Sequence, residues 1–450
     1  MFRQNTEESE SFMKILHFEL SKPTGDFKPM SAVNNGPAYD RNALCFKDRT
    51  NFDTYRAAKI PFARNHDASF CPEYGGDFTV DISAIFPDFD ADVNDPASYD
   101  CACTDEYTLV TLEAGTETFF RLGQRIEHEI RKHRTLPPKD FGKWVEICEH
   151  IIRHYNEGWA NGFHYNIRYF EIWNEADNET DDAPVKRTWG GTRAQFFEFY
   201  ETAAKHLKER FPDRKIGGPA LAWREDWAEA FLKYMQEHNV PLDFFSWHFY
   251  GTEPREMIEK GNRLHAMMDR YGYGDAESIL NEWNYVAPEE IHPFTDSVMQ
   301  IHGLKGASFV LSCMAEAQKS RIDMLMYYDA RPGTVYNGLF DFYSFRPLKS
   351  YYPIYWFGRL YGRKEIRCAD EPEHLYTLCG LDENGKTLTL LTNYSDDEHA
   401  PEQSVRLDFG RPGTYEVYLL DETHDGVLME VTRDLTFRIP NHTCLFLREK

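Results

Sequence analysis

Basic residues are in short supply, with 50 Lys and Arg against 74 Asp and Glu and a formal net charge of −24. That balance repels polyanions, so nucleic acid and anionic membranes are excluded as expected partners and neutral or weakly charged ones are favoured. No apolar run reaches the roughly 18–20 residues that a membrane-spanning helix needs. Met1 to Ser11 are polar and acidic, where a secretion signal would need a basic start followed by an apolar stretch. A soluble, cytoplasmic protein is therefore expected. The nine cysteines fall at no metal-ligand spacing, and Cys101 and Cys103 stand too close together for a zinc knuckle. Reduced, mostly packed thiols follow. Also missing are a Gly-rich phosphate loop, a Ser-His-Asp ordering and a His-x-His pair, so no cofactor and no metal is called for.

What is present is ample apolar material and a regular alternation. The 450 residues are 42% hydrophobic, enough for a large barrel with an accessory module. Short β-type runs near 29–34, 59–64, 117–122, 167–174, 215–219, 243–249, 278–283 and 322–328 alternate with amphipathic helical stretches. Residues 141–159, for example, space Trp144, Ile147, Cys148, Ile151 and Ile152 at three and four residues, which predicts a helix with one buried face. Similar stripes predict helices over 196–211, 227–235, 258–268 and 298–317. Eight strands alternating with helices predict an α/β fold, a (β/α)8 barrel over residues 21–362, with any chemistry at the carboxyl ends of the strands.

One connection, residues 67–103, is too long to be ordinary. Its aromatics (Phe70, Tyr74, Phe78, Phe86, Phe89 and Tyr99) predict an ordered excursion at the barrel rim. From residue 363 to 450 short alternating strands take over. Residues 375–381 and 386–394 flank Asp382-Glu383-Asn384-Gly385, a good hairpin signal, and the series continues to 447. A C-terminal β-sandwich domain is expected there, with residues 1–20 contributing a strand to it.

Two of the barrel strands end in the same way. Tyr169-Phe170-Glu171-Ile172-Trp173-Asn174-Glu175 is an aromatic and β-branched run that stops in an Asn-Glu pair, and Ser278-Ile279-Leu280-Asn281-Glu282-Trp283-Asn284 repeats the pattern. In the eight-strand register Glu175 ends the fourth strand and Glu282 the seventh, so both open on one face. Two carboxyl groups suffice to cleave a glycosidic bond, one protonating the leaving oxygen and the other attacking the anomeric carbon or activating water. Glu171, inside the run, is expected to be an ion-pair partner in the barrel interior.

These motifs resemble clan A glycoside hydrolases, whose barrels carry two glutamates on strands four and seven. Phe170 to Glu175, the Phe245-Ser246-Trp247-His248-Phe249-Tyr250 run on strand six, and the trailing sandwich together resemble glycoside hydrolase family 39, which holds β-xylosidases and α-L-iduronidases. The resemblance implies Glu175 as acid/base and Glu282 as nucleophile. It implies substrate contacts from Asn174, His248, Tyr250, Arg64 and His66, and stacking by Trp173 and Trp283 is expected as well. The chain departs from the family pattern at Ala176, where Pro is usual, and at Asn281, where Thr or Ser is common. The expected activity is retaining hydrolysis of a β-xyloside-like glycoside, by an exo-acting or short-oligosaccharide enzyme. An oligosaccharide or glycoside is the expected partner, and the sequence leaves room for a homo-oligomer. Two alternatives stay open: a non-catalytic carbohydrate-binding protein, and a metal-dependent hydrolase using His66, Asp67 and His248.

Overall fold

The computed structural model describes residues 13–39, 50–68, 79–288 and 293–450. Eight parallel strands close a barrel: β1 (Ala32–Asn34), β2 (Phe62–Arg64), β3 (Glu117–Leu122), β4 (Tyr169–Ile172), β5 (Lys215–Leu221), β6 (Phe244–Gly251), β7 (Glu277–Tyr285) and β8 (Met324–Tyr327). Strand β8 pairs with both β7 and β1 and closes the ring. All eight predicted runs are barrel strands.

The interior is layered because successive side chains on a strand point to opposite faces. At the amino ends Ala32, Phe62, Phe119, Tyr169, Phe244, Ile279 and Met324 fill the base with an apolar plug. Two residues further along, the inward positions become Asn34, Arg64, Arg121, Glu171, Ser246 and Asn281, all buried. The barrel thus changes from oil to a dense polar network as it approaches its carboxyl-end mouth.

The flanking helices bury the stripes read from the sequence. Phe141–Asn156 turns Trp144, Ile147, Cys148, Ile151 and Ile152 to the core. Arg193–Arg210, which follows β4, starts at a capping box between Thr192 and Gln195, and this fixes where the β4 loop ends. One expectation is corrected: the single helix over 298–317 is two, Phe294–His302 and Leu304–Lys319. Gly303 between them is extended, and a Cβ at Gly306 would lie 2.5 Å from the Gln300 carbonyl oxygen. The second helix therefore begins against the end of the first, an approach that only glycine allows.

In the long connection, Ile82–Ile85 and Pro96–Ser98 form short helical turns before the helix Ala102–Glu113. Phe86 packs edge-on against Tyr99 with ring centroids 4.8 Å apart. Phe70, Tyr74 and Phe78 lie outside the described residues.

Two sheets stand beside the barrel. A three-stranded sheet joins Lys14–His17, Gln403–Asp408 and Thr436–Ile439. A seven-stranded one runs from Asp425–Thr432 through Tyr415–Leu420, Cys444–Glu449, Thr387–Asn393, Leu375–Leu381 and Lys364–Ile366 to Gly25–Asp26. Leu16, Val405 and Phe437 from the first pack against Leu391, Val417 and Leu445 from the second, making a sandwich core. The larger sheet rests on the barrel helix Leu304–Lys319, where Ser308 and Thr392 share a 2.7 Å hydroxyl hydrogen bond. Among the described residues, no helix is long and apolar enough to cross a membrane.

Candidate active site

The two strand-end glutamates reach the mouth by local departures from strand geometry. Along β6 and β7 Trp247 pairs with Leu280, but the next pair is His248 with Glu282, so Asn281 is an extra residue. Such a bulge turns two consecutive side chains to one face. Asn281 donates from Nδ2 to Glu171 Oε1 at 2.6 Å inside the barrel, and Glu282 also faces inward. On β4 the departure is a pair of left-handed residues, Trp173 at φ 72° and Glu175 at φ 52°. Trp173 is thereby swung away from the barrel axis, while Asn174 and Glu175 are delivered to the mouth.

Arg64, at the end of β2, organises the polar layer. Its Nε donates to Glu171 Oε2 at 2.6 Å, Nη1 to Glu282 Oε1 at 2.8 Å and Asn34 Oδ1 at 3.1 Å, and Nη2 to Asn174 Oδ1 at 2.6 Å. Only a planar fork can satisfy two carboxylates and two amides at once. Glu171 also accepts from Ser246 Oγ at 2.6 Å, so it is saturated by donors, the interior ion-pair partner that the sequence suggested.

Glu175 and Glu282 differ in their neighbours. Glu282 accepts from Arg64 and, through Oε2, from the Tyr250 hydroxyl at 2.9 Å. His66 Nε2 lies 3.4 Å from its Oε1. Among the described residues no guanidinium is bonded to Glu175: Oε1 lies 2.9 Å from His248 Nδ1, and Oε2 accepts from Asn178 Nδ2 at 3.1 Å. His248 Nε2 in turn lies 3.5 Å from Glu282 Oε1, so one imidazole stands between the two carboxyl groups. A carboxylate oxygen of each glutamate and a ring nitrogen of His248 all lie within 4.8 Å of one another.

Residues 89–277 match the model of glycosyl hydrolases family 39. Over that stretch, less than half of its length, the chain is similar to glycoside hydrolase family 39. A β-xylosidase of Geobacillus stearothermophilus is 26% identical over 194 residues, 37% of this chain and 36% of that relative, so the alignment spans about a third of the curated protein. Two solved structures share the fold along nearly the whole chain. A glucosidase from Croceicoccus marinus has a TM-score of 0.77 at 22% identity, covering 97% of this chain and 99% of that one. A family 39 enzyme from Xanthomonas axonopodis pv. citri has a TM-score of 0.69 at 15% identity, covering 99% and 100%. The family match contains Glu175 and ends before Glu282.

Within this barrel, burial and then the nearby Asp177 push Glu175 up to about 8, while Arg64 and Arg187 oppose the rise. Burial also raises Glu282 above the ordinary carboxylate range, against the opposing pull of His248 and Arg64. The guanidinium in direct contact with Glu282 favours the ionised form of that carboxyl group. Burial holds His248 down at about 4, so its ring is neutral between the two.

Of the residues singled out in the sequence, the structure brings Arg64, His66, Asn174, Glu175, His248, Tyr250 and Glu282 together. It does not bring Trp173 and Trp283. Trp173 is buried against Trp144, Trp189 and Phe199, and its Nε1 donates to the Thr188 carbonyl at 2.8 Å. Trp283, past the bulge, faces outward onto Phe309 and Tyr327. Both indoles are packing for the helix layer, which corrects their expected stacking role.

Three features escaped the sequence reading. Asn178 holds Glu175 Oε2. Asp177 is fully buried and accepts from the backbone N–H groups of Ala222, Trp223 and Arg224 at 2.8, 2.9 and 2.9 Å, tying the β4 loop to the β5 loop. Trp223 is 62% exposed, with Nε1 3.3 Å from the Asn178 carbonyl oxygen, so an uncovered indole stands beside the loop of Glu175. Polar residues just after a strand-end glutamate were the available signal for the first two. Trp223 gave none, since it lies a whole strand away in sequence.

Proposed function

We propose that this chain is a retaining glycoside hydrolase acting on β-xyloside-like substrates with Glu175 as acid/base and Glu282 as nucleophile. The observation that carries the reading is the asymmetric pair of carboxyl groups. An oxygen of each lies within 4.8 Å of the other, and among the described residues only Glu282 of the two is in contact with a guanidinium. Retaining enzymes keep their carboxyl groups about 5–5.5 Å apart, whereas inverting enzymes separate them by about 6.5–9.5 Å to admit a water. An oxygen of each glutamate within 4.8 Å of the other supports a covalent route.

In the first step protonated Glu175 gives its proton to the glycosidic oxygen. That C–O bond breaks as Glu282 forms an ester to the anomeric carbon. In the second, Glu175, now ionised, takes a proton from a water that attacks the same carbon and expels Glu282. Before the first step the Glu175 hydroxyl can donate to Nδ1 of neutral His248, leaving Nε2–H facing Glu282. Asn174 has its Oδ1 held by Arg64, and its Nδ2 has no partner among the described residues. That amide is oriented to donate to the sugar hydroxyl beside the anomeric carbon. Trp223 supplies an apolar face for the leaving-group side. The β-xyloside preference rests on the β-xylosidase relative.

A panel of aryl glycosides of xylose, arabinose, galactose, glucose and uronic acids tests the reading, with the first-formed product anomer read by NMR. Turnover of the β-xyloside with retained configuration is expected. Inversion would overturn the mechanism, and binding without turnover across the panel would favour a carbohydrate-binding protein.

A further inference from the structure

Outside the mouth, on the helices that precede β3 and β4, a second set of reactive side chains converges. Cys101 stands at the start of the helix Ala102–Glu113, and Asp105 lies one turn on, its N–H donating to the Cys101 carbonyl at 2.8 Å. Side chains four apart share a helix face. His154, from Phe141–Asn156, meets that face, with Nε2 2.9 Å from Asp105 Oδ1. The thiol sulfur, one carboxylate oxygen and one ring nitrogen all lie within 4.8 Å of one another.

The second nitrogen of His154 carries further information. Nδ1 lies 3.0 Å from the Trp159 carbonyl oxygen, which can only accept, so Nδ1 bears the proton. Metal-binding histidines are oriented in this way, by a carbonyl or carboxylate behind the ring. In a neutral ring Nε2 then presents a lone pair to a carboxylate oxygen, an arrangement that a cation between them would make favourable. The side chain of His154 is 4% exposed and that of Asp105 26%, so the ring is fixed while one side remains open to a fourth ligand such as water.

We propose that Cys101, Asp105 and His154 form a binding site for a borderline-soft divalent cation, Zn2+ above all. Thiolate, imidazole and carboxylate together suit zinc rather than calcium or magnesium. Tetrahedral ligands at about 2.0–2.3 Å from a zinc stand roughly 3.3–3.8 Å apart, which small side-chain rotations reach from the observed positions. The site clamps the helix before β3 to the helix before β4, and β4 carries Glu175. It lies apart from the carboxyl pair and supplies stability rather than chemistry.

Chelator-stripped, untagged full-length protein titrated with Co2+ tests the site, because a thiolate-to-cobalt charge-transfer band reports sulfur ligation. The other group of convergent ligand atoms among the described residues, Glu175, His248 and Glu282, contains no sulfur and gives no such band. One thiolate-bound cobalt per chain is expected, displaced by Zn2+, with Zn2+ raising Tm. Cys101→Ser should abolish the band, Cys103→Ser should keep it, and His154→Gln should weaken binding at least about tenfold. Should His154→Gln fail to fold, Asp105→Asn reads the same loss. A folded protein without the band, or a band that survives Cys101→Ser, would overturn the proposal and leave His154 and Asp105 as an ion pair only.

Discussion

Arg64 and Glu282 meet through a 2.8 Å hydrogen bond from Nη1 to Oε1, with both side chains removed from solvent. The same guanidinium holds Glu171 and Asn174, so one residue of β2 sets the positions of a nucleophile candidate, an amide and the interior carboxylate. Lysine keeps the charge but loses the fork. Arg64→Lys is expected to lower kcat/KM by roughly 100-fold or more, since at least two charge-assisted bonds worth about 1.5–3 kcal/mol each are lost. Steady-state kinetics on an aryl β-xyloside checks this, and a variant with unchanged kcat/KM would show that Arg64 is structural padding.

Removal of each glutamate should give a different signature. Glu282→Ala is expected to abolish turnover on every substrate. Glu175→Ala should lose roughly 10²–10⁴-fold on substrates with poor leaving groups but retain reaction with activated aryl glycosides. Equal loss on activated and unactivated substrates would remove Glu175 from the acid role.

The pH profile should carry Glu175 on its alkaline side. A general acid must be protonated, and Glu175 sits at about 8, so kcat/KM should fall as pH rises through that region. Asp177 contributes part of the rise. Removing its negative charge in Asp177→Asn makes ionised Glu175 easier to form, and the alkaline limb should move to lower pH. An unmoved limb in a folded variant would show that Asp177 only ties the loops.

Tyr250 should act through Glu282. Its hydroxyl donates to Glu282 Oε2 at 2.9 Å, which favours the ionised carboxylate. Tyr250→Phe should raise Glu282, shift the acid limb of the profile to higher pH, and cost roughly 10- to 100-fold in kcat. A change in KM alone would assign the hydroxyl to substrate binding instead.

Trp173 and Trp283 should matter for stability and not for recognition. Trp283 is fully buried in the helix layer, so Trp283→Ala is expected to cost about 3–5 kcal/mol of stability. The fraction that remains folded should keep its KM. Trp223→Ala should do the reverse, leaving Tm in place while raising KM for substrates with a bulky leaving group.

Much of this protein was legible before folding because its signals are periodic and local. Eight β-type runs separated by helical stripes can bury their apolar faces in one compact way, and all eight became strands of a closed barrel. The polar ends of the fourth and seventh runs marked the mouth for the same reason, since inward positions must change from apolar to polar where solvent and substrate enter. The strand Asp425–Thr432 was not read, because Val427, Leu428, Met429 and Val431 sit on a sheet edge with no burial alternation to betray it.

The tertiary structure decided what small irregularities do to direction. An extra residue, Asn281, turns Glu282 inward and Trp283 outward, and a left-handed Trp173 takes that indole away from the site that its motif suggests. No pattern of residue types reports a bulge or a positive φ in advance, because both are fixed by pairing with the neighbouring strand. Residues distant in sequence were beyond reach for the same reason. His154 meets Cys101 and Asp105, and His248 comes between Glu175 and Glu282, only because the barrel brings their elements side by side. The sequence by itself determined the barrel and two carboxyl groups at its mouth. Only the closed ring of strands decided how they face each other, since their spacing depends on register and bulge rather than on residue identity.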